Sequence, residues 1–149
     1  MKKLPEKIIS FCNYRERSSK EVLNKLFSLG HDDKDSNKIL HQLIKINLVN
    51  DLRFAKSFSR GKLIINKWGK LKIRLHLINK GIQQNDIKEA LNSIDKNQYH
   101  DTIKNLLYIK RNHLNINNNK LINQKLFNYL SQKGFEKNLI LEYINNSVV

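Results

Sequence analysis

The sequence predicts an all-α protein made of tandem three-helix repeats. Three observations carry that expectation. One proline and five glycines punctuate 149 residues, too few turn formers for an all-β chain. Between them, apolar residues recur at three- and four-residue spacing, the period of a helix with one buried face. Finally, Gly30, Gly81 and Gly134, which lie 51 and 53 residues apart, each close such a stripe where a residue without Cβ can end a helix.

The first helix is expected from about Pro5, a first-turn residue, to Tyr14 or Arg15, burying Ile8, Ile9 and Cys12. Ser18 and Glu21 have capping-box spacing, the hydroxyl accepting from a first-turn amide and the carboxylate reaching back. Val22, Leu23, Leu26 and Leu29 then lead to Gly30. Asp32, Asp33 or Asp35 caps a third helix carrying Ile39, Leu40, Leu43 and Ile44.

Asn50 or Asp51 caps a fourth helix whose face is formed by Phe54, Phe58 and Ile65, with Gly61 weakening it by about 1 kcal/mol without breaking it. A fifth runs from about Gly69 to Lys80, and a sixth carries Ile87, Ala90, Leu91 and Ile94. "YHDTIKNLLYIKRNHL" supplies a longer helix through Ile103, Leu106 and Leu107 to Ile109 or Lys110, and the asparagine run at 115–119 is a loop. One helix then ends at Gly134, and a last one carries Leu139, Ile140, Tyr143 and Ile144.

Aligning the three glycines exposes a repeat. Four positions before them stand Leu26, Leu77 and Leu130; eight before, Val22, Ile73 and Leu126; ten after, Leu40, Leu91 and Ile144. The expected units are residues 1–47, 48–96 and 97–149, each lending an apolar face to the next. No long heptad seam invites dimerisation, so a monomer is expected.

The net charge of +15 and a pI near 10.0 make a polyanion the first partner to consider. Lysine outnumbers arginine and asparagine is abundant, as AT-rich codon use would also produce, so the location of the charge matters more than its total. From Leu52 to Asn85 there is no Asp or Glu, whereas Arg53, Lys56, Arg60, Lys62, Lys67, Lys70, Lys72, Arg74 and Lys80 all fall inside. These nine are the candidate partner- or DNA-binding residues. Trp68, in their midst, either packs a helix junction or stacks on a base or partner.

Catalytic signatures are missing from the sequence, and no cofactor is expected. His31, His41, His76, His100 and His113 lack the spacing of metal ligands. Asp32, Asp33 and Asp35 precede a helix, where carboxylates cap and offset the dipole. Gly61 and Lys62 lack the rest of a phosphate-binding loop. Cys12, the one cysteine, permits no internal disulfide and fits a reducing compartment. Pro5, Glu6 and Lys7 interrupt the basic start before any signal-peptide core, and no stretch approaches the ~20 apolar residues of a membrane span. A cytoplasmic protein without membrane partners is expected.

Three stretches resemble the RecX family of RecA recombinase regulators. "YRERSSKEVLNKLFSLGH", Tyr14 to His31, resembles that family's Arg-x-Arg-Ser cap, amphipathic helix and glycine. "LVNDLRFAKSFSR", Leu48 to Arg60, resembles its apolar-x-Asp-x-x-Phe-Ala motif through Asp51, Phe54 and Ala55. "WGKLKIRLHLINKGI", Trp68 to Ile82, resembles its aromatic-Gly, basic, Leu, Lys-Gly-Ile segment. The third unit, Lys120 to Ile144, matches chiefly through Gly134 and Phe135, and the chain uses Lys and Asn where relatives often use Arg. The resemblance implies an elongated, curved array of three-helix repeats. Its implied role is non-enzymatic: binding in the groove of the RecA filament on single-stranded DNA and modulating, usually restraining, its assembly and activity. From the residues themselves, an independent helical protein binding duplex DNA, as a transcription factor would, stays open beside it.

Overall fold

The computed structural model describes residues 3–146; the outer ends of the first and third expected repeats, residues 1–2 and 147–149, lie outside it. The described residues form nine α-helices and no strand. In chain order these are α1 (Glu6–Tyr14), α2 (Ser19–Ser28), α3 (Asp33–Lys45), α4 (Asp51–Asn66), α5 (Lys70–Asn79), α6 (Gln84–Asn92), α7 (Lys96–His113), α8 (Asn119–Gln132) and α9 (Lys137–Asn146). None is long and apolar enough to cross a membrane.

The helix ends follow the sequence logic with a few amendments. Gly30, Gly81 and Gly134 all take positive φ, +94°, +78° and +95°. After each glycine the next amide donates five residues back: His31 to Leu26, Ile82 to Leu77 and Phe135 to Leu130. That bond satisfies an otherwise orphaned carbonyl. Asn47, at φ +61°, closes α3 in the same way, Leu48 N–H donating to the Leu43 carbonyl; asparagine is the side chain best tolerated there. The capping box of α2 is only half made. Ser18 Oγ accepts from the Glu21 amide at 3.1 Å, but the Glu21 carboxylate goes to Arg15 at 2.9 Å, with Lys80 at 3.7 Å and Arg17 at 3.9 Å, because three cations attract it more strongly than one backbone amide.

Compactness groups the helices into two units, one drawing on the chain up to Phe58 together with His76–Asn92, the other on Ser59–Leu75 together with the chain from Ser93 onward. In the first, Ile8, Cys12, Val22, Leu26, Ile39, Leu40, Leu43 and Val49 form a buried cluster, with Phe11 and Leu23 packed against it. Asp51 does not cap its own helix. Asn50 does so, its Oδ1 accepting from Arg53 N–H at 2.9 Å, while Asp51 Oδ1 accepts from Ser19 N–H at 2.7 Å and so closes the start of α2. Phe54 and Ala55, the other residues of that motif, are buried.

In the second unit, α8 packs on both α7 and α9, and Leu63, Ile73, Tyr99, Ile103, Leu107, Leu126, Leu130, Phe135, Ile140 and Ile144 are buried. The expected face of α4 is corrected here: Ile65 is 78% exposed. The buried stripe instead follows the four-residue ridge Ala55, Ser59 and Leu63, which drifts around the helix and leaves Ile65, in the last turn, on the solvent side. Helix α7 also runs to His113, beyond the expected end, and Asp95 caps its start by accepting from Gln98 N–H at 2.8 Å.

Candidate partner and nucleic-acid interface

The nine candidate cations divide according to what already holds them. Three belong to the first unit. Arg53 Nε meets Glu16 at 2.7 Å, and its Nη2 donates to the Asn47 carbonyl at 3.0 Å. Lys56 faces Glu89 at 3.6 Å. Lys80 lies 3.7 Å from Glu21 and 5.6 Å from the Phe58 ring centroid. Each neutralises a carboxylate of its own unit, which lowers the field it offers to an external anion.

The other six lie in the second unit, within Ser59–Leu75. Arg60, Lys67 and Arg74 are exposed. Lys62 and Lys72 place their ammonium groups 4.9 and 4.7 Å from the Trp68 ring centroid. The indole is half-buried, so it is neither a full core residue nor a free stacking face; it orients two lysines through its π-surface. Lys70 sits 4.9 Å over the Tyr99 ring. Lys67 takes φ +58° at the end of α4, its amide donating to Leu63 and the next one, Trp68 N–H, to Lys62. A lysine held in the left-handed region costs free energy, and that turn re-aims the chain into α5.

The start of α5 is fixed by α8 and its neighbours. Gly69 N–H donates to the Lys133 carbonyl at 2.7 Å and Leu71 N–H to the Gly134 carbonyl at 2.9 Å. Lys70 N–H donates to the Tyr99 hydroxyl at 3.0 Å, which in turn donates to Glu136. Lys133 Nζ also reaches the Asn66 carbonyl at 3.2 Å. The Gly69, Lys70 and Leu71 amides at the start of α5 are therefore taken by protein and do not form an open helix N-terminal anion site.

Tyr99 supplies a direct check of this joint. Burial, then its hydrogen bond to Glu136, pushes the hydroxyl well above the usual tyrosine range. A folded-state value above the unfolded one means that its stabilising contribution is complete below pH ~10 and lost as the pH rises further. Tyr99→Phe should cost about 1–3 kcal/mol at pH 7, because the Lys70 amide loses its acceptor and Glu136 its donor. Urea titrations of both proteins at pH 7 and 10.5 measure this, and the gap should narrow at the higher pH.

The same segment carries apolar side chains that no phosphate requires. Leu71 and Leu75, one turn apart on α5, are 48% and 62% exposed, while Ile73 between them is fully buried. Ile64 and Ile65 are exposed at the end of α4. The sequence reading placed the cations and missed this outer face. Leu71, Leu75 and the buried pair Ile73 and Leu77 show the signal, an α5 apolar on opposite sides.

Comparison with known proteins gives a consistent answer. Residues 50–91 match the model of the second three-helix domain of RecX. The regulatory protein RecX of Clostridioides difficile (strain 630) is 29% identical over 143 residues, covering 96% of this chain and 67% of that protein. The one from Prosthecochloris aestuarii (strain DSM 271 / SK 413) is 27% identical over 146 residues, covering 97% and 93%. Among solved structures, RecX from Lactobacillus salivarius superposes with a TM-score of 0.86 at 26% identity, over 95% of this chain and 92% of that one.

Proposed function

The chain belongs to the RecX family, and from that membership we propose that it is a non-enzymatic regulator that binds the RecA recombinase filament on single-stranded DNA and restrains its assembly and activity. The two relatives compared above carry the name regulatory protein RecX. The reading also takes the chain as a monomer of three repeats, 1–47, 48–96 and 97–149, the second of which contains the matched residues 50–91.

One observation carries the choice of a filament over bare nucleic acid. Within Ser59–Leu75, the exposed cations Arg60, Lys67 and Arg74 alternate with the exposed apolar side chains Ile64, Ile65, Leu71 and Leu75, and no carboxylate interrupts them. Phosphates reward only the cations. A nucleoprotein rewards both, because its protein component can bury the apolar groups. A sequence-reading duplex binder would instead present polar side chains that match base edges.

Reversing Lys70 and Arg74 to Glu tests this reading. The pair should weaken filament binding and flatten its dependence on log salt by about 1–2 units of slope, since each lost phosphate contact keeps nearly one counterion in place. Lys125→Glu with Lys137→Glu, two exposed residues with the same charge change, is the control and should hurt less. Binding is measured against RecA filaments, bare single strands and duplex, with strand exchange as the activity. Preference for a particular duplex sequence would replace the regulator reading with that of an independent DNA-binding protein, and equal losses in both variants would mean that total charge is what binds.

A further inference from the structure

A second surface, in the first unit and outside all nine candidate cations, combines aromatic and cationic groups. A groove of about 500 Å³ is lined by Glu6, Lys7, Phe11, Tyr14, Arg17 and Lys25, among others. The Arg17 guanidinium lies 3.8 Å from the Phe11 ring centroid and 5.8 Å from that of Tyr14. Its Nε donates to the Phe11 carbonyl at 2.9 Å, so the group is fixed by the end of α1. Lys25 Nζ stands 5.5 Å from the Phe11 ring. Tyr14, the last residue of α1, is 85% exposed, the most exposed large side chain among the described hydrophobics.

We propose that this groove is a stacking site for an unpaired base of single-stranded nucleic acid. An exposed tyrosine ring offers a flat π-face that any base can cover, and cations beside it meet the phosphates on either side. Tyr14 is the platform, the Phe11-held Arg17 guanidinium its planar neighbour, and Lys7 and Lys25 are the phosphate contacts. Glu6 lines the groove and Glu21 lies 3.9 Å from Arg17, so three cations still outnumber two carboxylates and the local charge favours an anion, with Lys7 and Lys25 carrying the attraction. Bases inside a duplex are already stacked on one another and cannot cover the ring without the cost of being unstacked. The single strand is therefore the form that fits.

The proposal rests on the function proposed above only in taking single-stranded DNA as a ligand, and its test contains no recombinase. Anisotropy titrations compare a labelled oligothymidine with an abasic deoxyribose-phosphate oligomer of equal length, which keeps the charge and lacks the bases. Tyr14→Leu should weaken oligothymidine binding by about 5- to 150-fold, the range for one base–aromatic stack. Tyr14→Phe, which keeps the ring, should stay within about 2-fold of the unaltered chain, and neither variant should change binding of the abasic oligomer. Unchanged oligothymidine binding by Tyr14→Leu, or equal losses on both oligomers, would overturn the stacking site, as would failure of the unaltered chain to bind oligothymidine at all. A chain that passes this test and still ignores RecA filaments would count against the regulator reading alone.

Discussion

Gly69→Ala is expected to destabilise the protein by at least about 3 kcal/mol, and Gly134→Ala by a similar amount. A Cβ on Gly69 would lie 2.4 Å from the carbonyl carbon and oxygen of Gly134 and from the Phe135 nitrogen; one on Gly134 would lie 2.3 Å from Lys72 Cβ and 2.6 Å from its nitrogen. These are backbone atoms, or a Cβ fixed to the backbone, so no rotamer change relieves the clash. Relief requires α5 and α8 to separate, which lengthens the Gly69-to-Lys133 and Leu71-to-Gly134 hydrogen bonds together. Gly30 supplies the comparison, because it shares the positive φ but nothing lies within 4 Å of its would-be Cβ. Gly30→Ala should cost only the left-handed penalty of about 1–2 kcal/mol. Urea midpoints of the three variants give the ranking. A Gly69→Ala protein as stable as Gly30→Ala would mean that the α5–α8 joint is looser than its distances indicate.

Leu77→Ala should cost about 2–5 kcal/mol, the range for a core leucine whose cavity collapses incompletely. Leu77 is fully buried in the first unit, and its carbonyl accepts the Ile82 amide that closes α5. Leu75, two residues earlier on the same helix but exposed, should change by less than about 0.5 kcal/mol on the same substitution. The pair removes the same atoms from the same helix, so intrinsic propensity cancels and only burial differs. Calorimetric or urea unfolding of the two variants decides the outcome. Equal costs would mean that the outer face of α5 is covered in solution.

The helices and their ends were legible because they are set by local chemistry. Ser18 and Asp32 cap by accepting amides three residues ahead, and the positive φ that ends three of the helices is met most cheaply by glycine. The aligned positions Leu26, Leu77 and Leu130, and likewise Val22, Ile73 and Leu126, are all fully buried, because apolar periodicity reports a face directly. Ile65 was misassigned for a related reason. Periodicity identifies a face but cannot say whether another element reaches the last turn of it. The candidate site was half legible. Charge and the acid-free span could be counted, but the partners of those charges could not, because Glu16, Glu21 and Glu89 approach Arg53, Lys80 and Lys56 only in the folded chain.

By itself, the sequence determined that this protein is all-helical, strongly basic and marked by glycine helix stops at Gly30, Gly81 and Gly134, since propensity, capping and net charge depend on residues near one another in the chain. Tertiary structure alone decided that Arg53, Lys56 and Lys80 meet carboxylates, since Glu16, Glu89 and Glu21 lie tens of residues away in the chain. It also decided that Gly69 must be glycine. No local rule demands this at the start of a helix; the demand comes from the backbone at Gly134, sixty-five residues later, passing 2.4 Å from where a side chain would begin. And it decided that Leu71 and Leu75 face outward while Ile73 and Leu77 face in, because a helix apolar on both sides has its inner face chosen by what packs against it, not by its own period.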